Sequence, residues 1–194
     1  MSEPPVAMSY DQIPQLLDSF ARVHSERLSF RPLRLSDQDG LYQIMSDPEV
    51  SRYNRWETHQ RPQDSRDYLQ AVADLYAQGQ YLEWGIVCQQ QLIGFFGLVW
   101  WLPDFASAEI GFSLGRAHWG QGYMQEALKA LQNWAFTEMN INRFEAQCDQ
   151  FNLASQKVLE RLNWSCEGLM RQKAYFKARW HDVKLYSLLR SDPR

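Results

Sequence analysis

At 194 residues, 45% hydrophobic and 22% charged, the chain has the size of one compact domain and an ordinary globular composition, which excludes disordered, collagen-like and coiled-coil classes. A net charge of −3, a pI near 5.8 and the absence of any Arg/Lys block exclude nonspecific nucleic-acid binding, which needs a basic stripe against the phosphates.

Residues 1–25 read as an N-terminal extension and 26–190 as the domain. The extension carries prolines, lacks the basic start and apolar run of a secretory signal, and predicts a poorly anchored lead-in with a short helix over Ile13 to Phe20. Arg27 to Leu35 alternates around Pro32, which suits an edge strand because proline cannot donate to a central ladder. Ser36 and Asp39 resemble a capping box opening a helix with Leu41, Ile44 and Met45 on one side, ended by Asp47-Pro48. Pro62 opens a second helix carrying Leu69, Val72 and Tyr76, and Gly79 stops it.

The period then changes. Tyr81 to Cys88, Leu92 to Trp101 and Ala108 to Leu114 predict three strands, the first two joined by a polar turn at Gln89-Gln90-Gln91. Helical spacing returns over Gly122 to Met139, followed by a strand at Arg143 to Cys148, a helix from Asn152 to Leu162, and strands at Cys166 to Phe176 and His181 to Leu189. The pattern predicts one α+β domain with a mixed, mostly antiparallel sheet. Leu92 to Leu102 is the longest apolar stretch, too short to span a bilayer and broken by glycines. Three widely spaced cysteines predict reduced thiols in the cytoplasm, and neither they nor the four histidines show metal-ligand spacing.

Chemistry concentrates in SAEIGFSLGRAHWGQGYMQEA, residues 107–127, where a strand runs through a glycine turn into a long helix. The amides of Gly120 to Met124 would converge at the helix N-terminus, where unsatisfied N–H groups and the positive dipole end favour an anion such as a pyrophosphate. A plain strand-to-helix turn would use the same glycines. A dinucleotide fingerprint fits less well, because its third small residue is replaced by Gln125 and antiparallel-looking strands precede the turn. In the second segment, NLASQKVLERLNW, Asn152 is placed as an N-cap and Ser155 lies one turn inside.

Together, the AEIGFSL strand, the WGQGYMQEAL turn and helix, and NLASQKVLERLNW followed by Glu167-Gly168 resemble the GNAT superfamily of acyl-CoA N-acyltransferases. RQKAYFKARWHDVKLYSLL resembles the closing hairpin of its RimJ/RimL-like branch, the ribosomal-protein N-terminal acetyltransferases. Two departures stand out: Ala117 where the family often has Arg or Gln, and Asn163-Trp164 where the helix usually ends in Gly-Phe.

The resemblance implies a sheet of about seven strands with helices on both faces. It implies acetyl-CoA as cosubstrate and no metal, with the pyrophosphate on Gly120, Gln121, Gly122, Tyr123 and Met124 and the pantetheine along the strand ending Phe112, Ser113 and Leu114. An amine then attacks the thioester directly, which requires a proton acceptor, an oxyanion donor and a proton for the thiolate. Glu109, an acid in an otherwise apolar strand, is the candidate base; an N–H near Phe112 to Leu114 is the oxyanion donor; Ser155 or Asn152 reaches the sulfur or the pantetheine. Glu126 reads as a structural acid in the first turn of its helix.

The acceptor implied is a protein N-terminal α-amine, with a small or antibiotic-like amine and a non-catalytic acyl-CoA-binding module as alternatives. Its borders are Val50 to Arg61, Pro103-Asp104-Phe105 and Tyr175 to Trp180, with Trp56, Trp100, Trp101 and Tyr175 as substrate-binding candidates. Of the eight tryptophans, Trp134 and Trp164 read as packing residues, Trp84 as a strand residue, and Trp119 abuts the phosphate turn. Family members occur as monomers and homodimers.

Overall fold

Alternating apolar residues and paired left-handed turns shape the centre of the chain. In the computed structural model, which describes residues 9–193, the strands are β1 Ser29–Arg31, β2 Glu83–Cys88, β3 Gln91–Leu102, β4 Ser107–Leu114, β5 Arg143–Asp149, β6 Ser165–Phe176 and β7 Arg179–Leu189. They form one sheet in the order β1-β2-β3-β4-β5-β7-β6. β4 and β5 run parallel; the other neighbours are antiparallel. The helices are α1 Ile13–Phe20, α2 Gln38–Met45, the single turn α3 Pro48–Ser51, α4 Pro62–Ala77, α5 Tyr123–Glu138 and α6 Leu153–Arg161.

β1 is the edge strand that Pro32 predicts, and Pro62 and Gly79 bracket α4 as expected, Gly79 at φ +63°. The β2–β3 turn is tighter than expected. Gln89 and Gln90 both take positive φ, +47° and +67°, and Gln91 already pairs with Cys88. A two-residue turn of this hand matches the twist of the flanking strands. Asn163 ends α6 at φ +62° and Trp164 follows it into the core, so the Asn-Trp departure keeps both the left-handed cap and the aromatic plug.

Two expectations change. The capping box at Ser36 is replaced by Asp37, whose carboxylate accepts the Arg34 N–H at 2.9 Å and grips the Arg31 guanidinium at 2.6 and 2.7 Å. The lead-in helix is firmly anchored: Ile13, Leu16, Leu17 and Phe20 are buried in the main core beside Trp84, Phe96 and Trp134. Its spacing places all four on one face, and α5 and the sheet cover that face. The other sheet face packs a smaller cluster of Leu41, Ile44, Met45, Leu69, Val72 and Phe95 under α2 and α4.

One acid is buried beside that smaller cluster. Glu83 is 4% exposed and accepts the hydroxyls of Tyr68 at 3.0 and 3.1 Å and Tyr81 at 3.1 Å. Burial pushes its pKa up to about 7 against these hydrogen bonds, which pull it down. The folded state therefore binds this proton more readily than the unfolded chain does. The stability involved is fully present below the ordinary glutamate pKa and is lost as pH rises to about 7. The expected loss is on the order of 3 kcal/mol. Urea unfolding at pH 4 and pH 8 checks it: Glu83→Gln should lack that part of the decline.

Candidate active site

β4 and β5 hold together only where Ser107, Ala108 and Glu109 face Arg143, Phe144 and Glu145. Beyond that point they part. The register of β3 against β4 slips between Leu98 and Trp100, opposite Ile110 and Glu109, and a bulge of this kind bends and twists the strands where it sits. The opening between the strands is a cleft of about 730 Å³. Ile110 to Leu114 line it from β4 and Ala146 to Asp149 from β5; Gly120, Gly122, Tyr123 and Met124 line it from the turn, and Asn152 and Ser155 from the start of α6.

The turn before α5 presents backbone amides at a helix N-terminus, a geometry that favours an anion. Gly120 and Gly122 take φ +73° and +80°, values that strain a side-chain-bearing residue, and a Cβ on Gly120 would meet nothing within 4 Å. The Glu126 N–H bonds to the Gly122 carbonyl at 3.0 Å, so the amides of Tyr123, Met124 and Gln125 precede the helical ladder. The Gln121 side chain turns back to the Ala117 carbonyl at 2.9 Å, and Gln121, unlike Gly120 and Gly122 on either side of it, is not among the residues that line the cleft. Glu126 is structural, as expected. It accepts the Ser25 hydroxyl at 2.7 Å and the Arg27 N–H and Nε at 2.7 and 2.6 Å. Arg27 Nη1 reaches the Gln121 carbonyl at 3.0 Å and the guanidinium lies 4.3 Å over the Tyr123 ring. This arginine strap leaves no local signal, because its partners lie 94 and 99 residues away in the chain.

Glu109 sits at the closed end of the cleft, one residue before its wall begins at Ile110. Its side chain is oriented through a single oxygen: Oε2 accepts the Trp100 indole N–H at 2.6 Å and the Gln147 amide at 2.9 Å. No group among the described residues bonds to its other oxygen, which keeps some solvent access. Burial raises the Glu109 carboxyl above its ordinary range, against the Trp100 and Gln147 hydrogen bonds and the nearby Arg55, which lower it. Such a group holds a proton more readily than a free carboxylate does.

The other candidates separate. Asn152 caps α6, its Oδ1 accepting the Ser155 N–H at 3.2 Å, and both residues line the cleft. Phe112, Ser113 and Leu114 form the wall beyond the last β4–β5 pairing. Trp100 touches Glu109, but Trp101 is buried in the main core on the opposite sheet face. Successive strand residues point to opposite faces, so the two tryptophans cannot share one site. Trp56 is half-buried against the smaller cluster, and Tyr175 is exposed and packs edge-on against Trp180. The hairpin between them reaches the cleft rim differently, through Lys177 Nζ donating to the Ser51 carbonyl at 2.5 Å. Pro103 to Phe105 lies at the end of β4 away from its cleft-lining residues.

Burial pushes the Cys148 thiol up to about 12, so the one cysteine that lines the cleft stays protonated and is a poor nucleophile. Among the described residues no group of three or more His, Cys, Asp or Glu could hold a metal ion, and no helix is long and apolar enough to cross a membrane. The antiparallel strands before β4 rule out the parallel βαβ start of a dinucleotide fold.

The family described as "Acetyltransferase (GNAT) domain" matches residues 27–165. The chain belongs to the GNAT acetyltransferases. Within that family, an uncharacterized N-acetyltransferase p20 of Bacillus licheniformis is 37% identical over 172 residues, covering 88% of this chain and 97% of the relative. A ribosomal-protein-serine acetyltransferase of Escherichia coli is 30% identical over 128 residues, 66% of this chain and 72% of the relative. A solved structure of RimL, a ribosomal L7/L12 α-N-protein acetyltransferase in complex with coenzyme A, superposes with a TM-score of 0.76 at 27% identity, covering 85% of this chain and 95% of that one. The fold is that of GNAT enzymes, and the chain is an N-acetyltransferase of that family. GNAT acetyltransferases use acetyl-CoA, and the splayed strands and amide turn suit its elongated, pyrophosphate-bearing shape.

Proposed function

We propose that the chain transfers the acetyl group of acetyl-CoA directly to a protein N-terminal α-amine. The observation that carries this reading is Glu109, a partly desolvated carboxylate held through one oxygen at the closed end of the cleft. An α-amine with a pKa near ~8 is roughly one-tenth neutral at pH 7, whereas a lysine near ~10.4 is neutral in fewer than about one molecule in a thousand. One glutamate therefore suffices more readily for the α-amine. The relatives named for ribosomal-protein and L7/L12 α-amino acetylation support the same choice.

In this reading the amides of Gly120 to Met124 hold the pyrophosphate, and Phe112 to Leu114 run beside the pantetheine and supply the oxyanion donor. Glu109 accepts the proton of the attacking amine. The Ser155 hydroxyl, with Asn152 beside it, protonates or hydrogen-bonds the departing thiolate. Thiol release from acetyl-CoA tests the reading across N-terminal peptides, polyamines and aminoglycosides. Turnover should be fastest with peptides; turnover with polyamines or aminoglycosides alone would replace the α-amine by a small amine. Arg27→Ala should weaken coenzyme A binding by about tenfold, because it frees the Gln121 carbonyl and unpairs Glu126 beside the anion site. Calorimetric titration with coenzyme A measures that loss.

A further inference from the structure

Gln147 is a residue of the cleft that takes no part in the steps above. Its Nε2 donates to Glu109 Oε2 at 2.9 Å, the orientation that an ionised carboxylate requires because it can only accept. The carbonyl end, Oε1, is buried and has no hydrogen-bond partner, although the residue lines the cleft. Buried acceptors are almost always paired, and an unpaired one beside a binding cleft points to a donor on the ligand. Gln147 and Glu109 are also neighbours on one sheet face: Glu109 pairs with Glu145, and Gln147 is the next β5 residue on that side.

We propose that Gln147 Oε1 accepts one N–H of the acceptor amine while Glu109 Oε1 accepts the other, so that the site selects primary amines. The inference rests on the amine-transfer reading above. A neutral primary amine has two N–H donors and one lone pair. With both donors engaged by the two acceptors, the lone pair is the part left to face the thioester. As the N–C bond forms and the C–S bond breaks, the proton bound for Glu109 leaves along an existing hydrogen bond, and the electron pair departs with the sulfur, which takes up a proton. A secondary amine offers only one N–H, so it leaves Gln147 Oε1 or Glu109 unpaired. Sites built to pair a substrate N–H reject analogues that lack it far more strongly than their size difference explains.

The test compares peptides bearing a free N-terminal α-amine with the same peptides N-methylated, by kcat/KM from thiol release. The wild type should prefer the primary amine by about 100-fold or more. Gln147→Met, which removes the acceptor, should cut that preference by about tenfold or more. Gln147→Lys, which keeps a donor for Glu109 but offers no acceptor, should do the same and serves if the methionine variant does not fold. A preference unchanged in both acceptor-less variants overturns the proposal, even if overall activity drops. If the wild type acetylates only small amines, the α-amine reading fails and the same comparison is made on those amines and their N-methyl forms. A wild type that acetylates no amine overturns both.

Discussion

Glu109→Gln is expected to lower kcat/KM by about 10²- to 10⁴-fold, the range that a positioned general base contributes. The variant keeps an oxygen for Trp100 and Gln147 to hold and adds almost no volume, so coenzyme A affinity should stay within about threefold of the wild type. The pH dependence separates base loss from misfolding. Because burial raises the Glu109 pKa, the wild-type acid limb should lie above the ordinary carboxylate range, with the ionisation of the amine, near ~8 for an α-amine, above it. In Glu109→Gln the lower limb disappears and the amine limb remains. Trp100→Phe keeps the ring but removes a hydrogen bond that lowers the Glu109 pKa, so its acid limb should move to higher pH. A variant with wild-type turnover across pH would remove Glu109 from its role.

Phe20→Ala is expected to cost about 3–5 kcal/mol, a large share of the 5–15 kcal/mol that holds a typical domain together. The ring is fully buried and lies 4.9 to 5.6 Å from those of Phe30, Trp84, Phe96 and Trp134, so its removal opens a cavity among rings that cannot all close in. For a chain of this length the melting temperature should fall by roughly 6–20 °C. Trp180→Ala, which removes a large ring that is 59% exposed, should leave it nearly unchanged. An unchanged melting temperature in Phe20→Ala would mean that α1 docks without stabilising the domain.

Several elements are legible because their cause is local. Pro62 and Gly79 bracket α4, the Gly120/Gly122 turn needs left-handed backbone, and the Asn152 side chain caps α6 by accepting the Ser155 N–H. The anchoring of α1 is not local. The spacing of Ile13, Leu16, Leu17 and Phe20 shows an apolar face, but the partners that bury it come from Phe30, Trp84, Phe96 and Trp134. The tryptophan excess divides in the same way. Trp134 and Trp164 pack in the core as expected, and Trp84, expected only as a strand residue, joins them there, whereas Trp100 and Trp101 look equivalent in the sequence until strand alternation sends one to Glu109 and the other to the core.

By itself the sequence determined the α+β class, the strand-turn-helix that presents backbone amides, and the acid in the apolar strand, because spacing, glycine and caps act within a few residues. Only the tertiary structure decided where β4 and β5 part, that Arg27 straps the turn before α5, and that Gln147, a residue of the cleft lining, has a buried unpaired carbonyl while its amide meets Glu109. These features join residues tens of positions apart, and the sheet register that brings them together depends on pairing and burial across the whole domain.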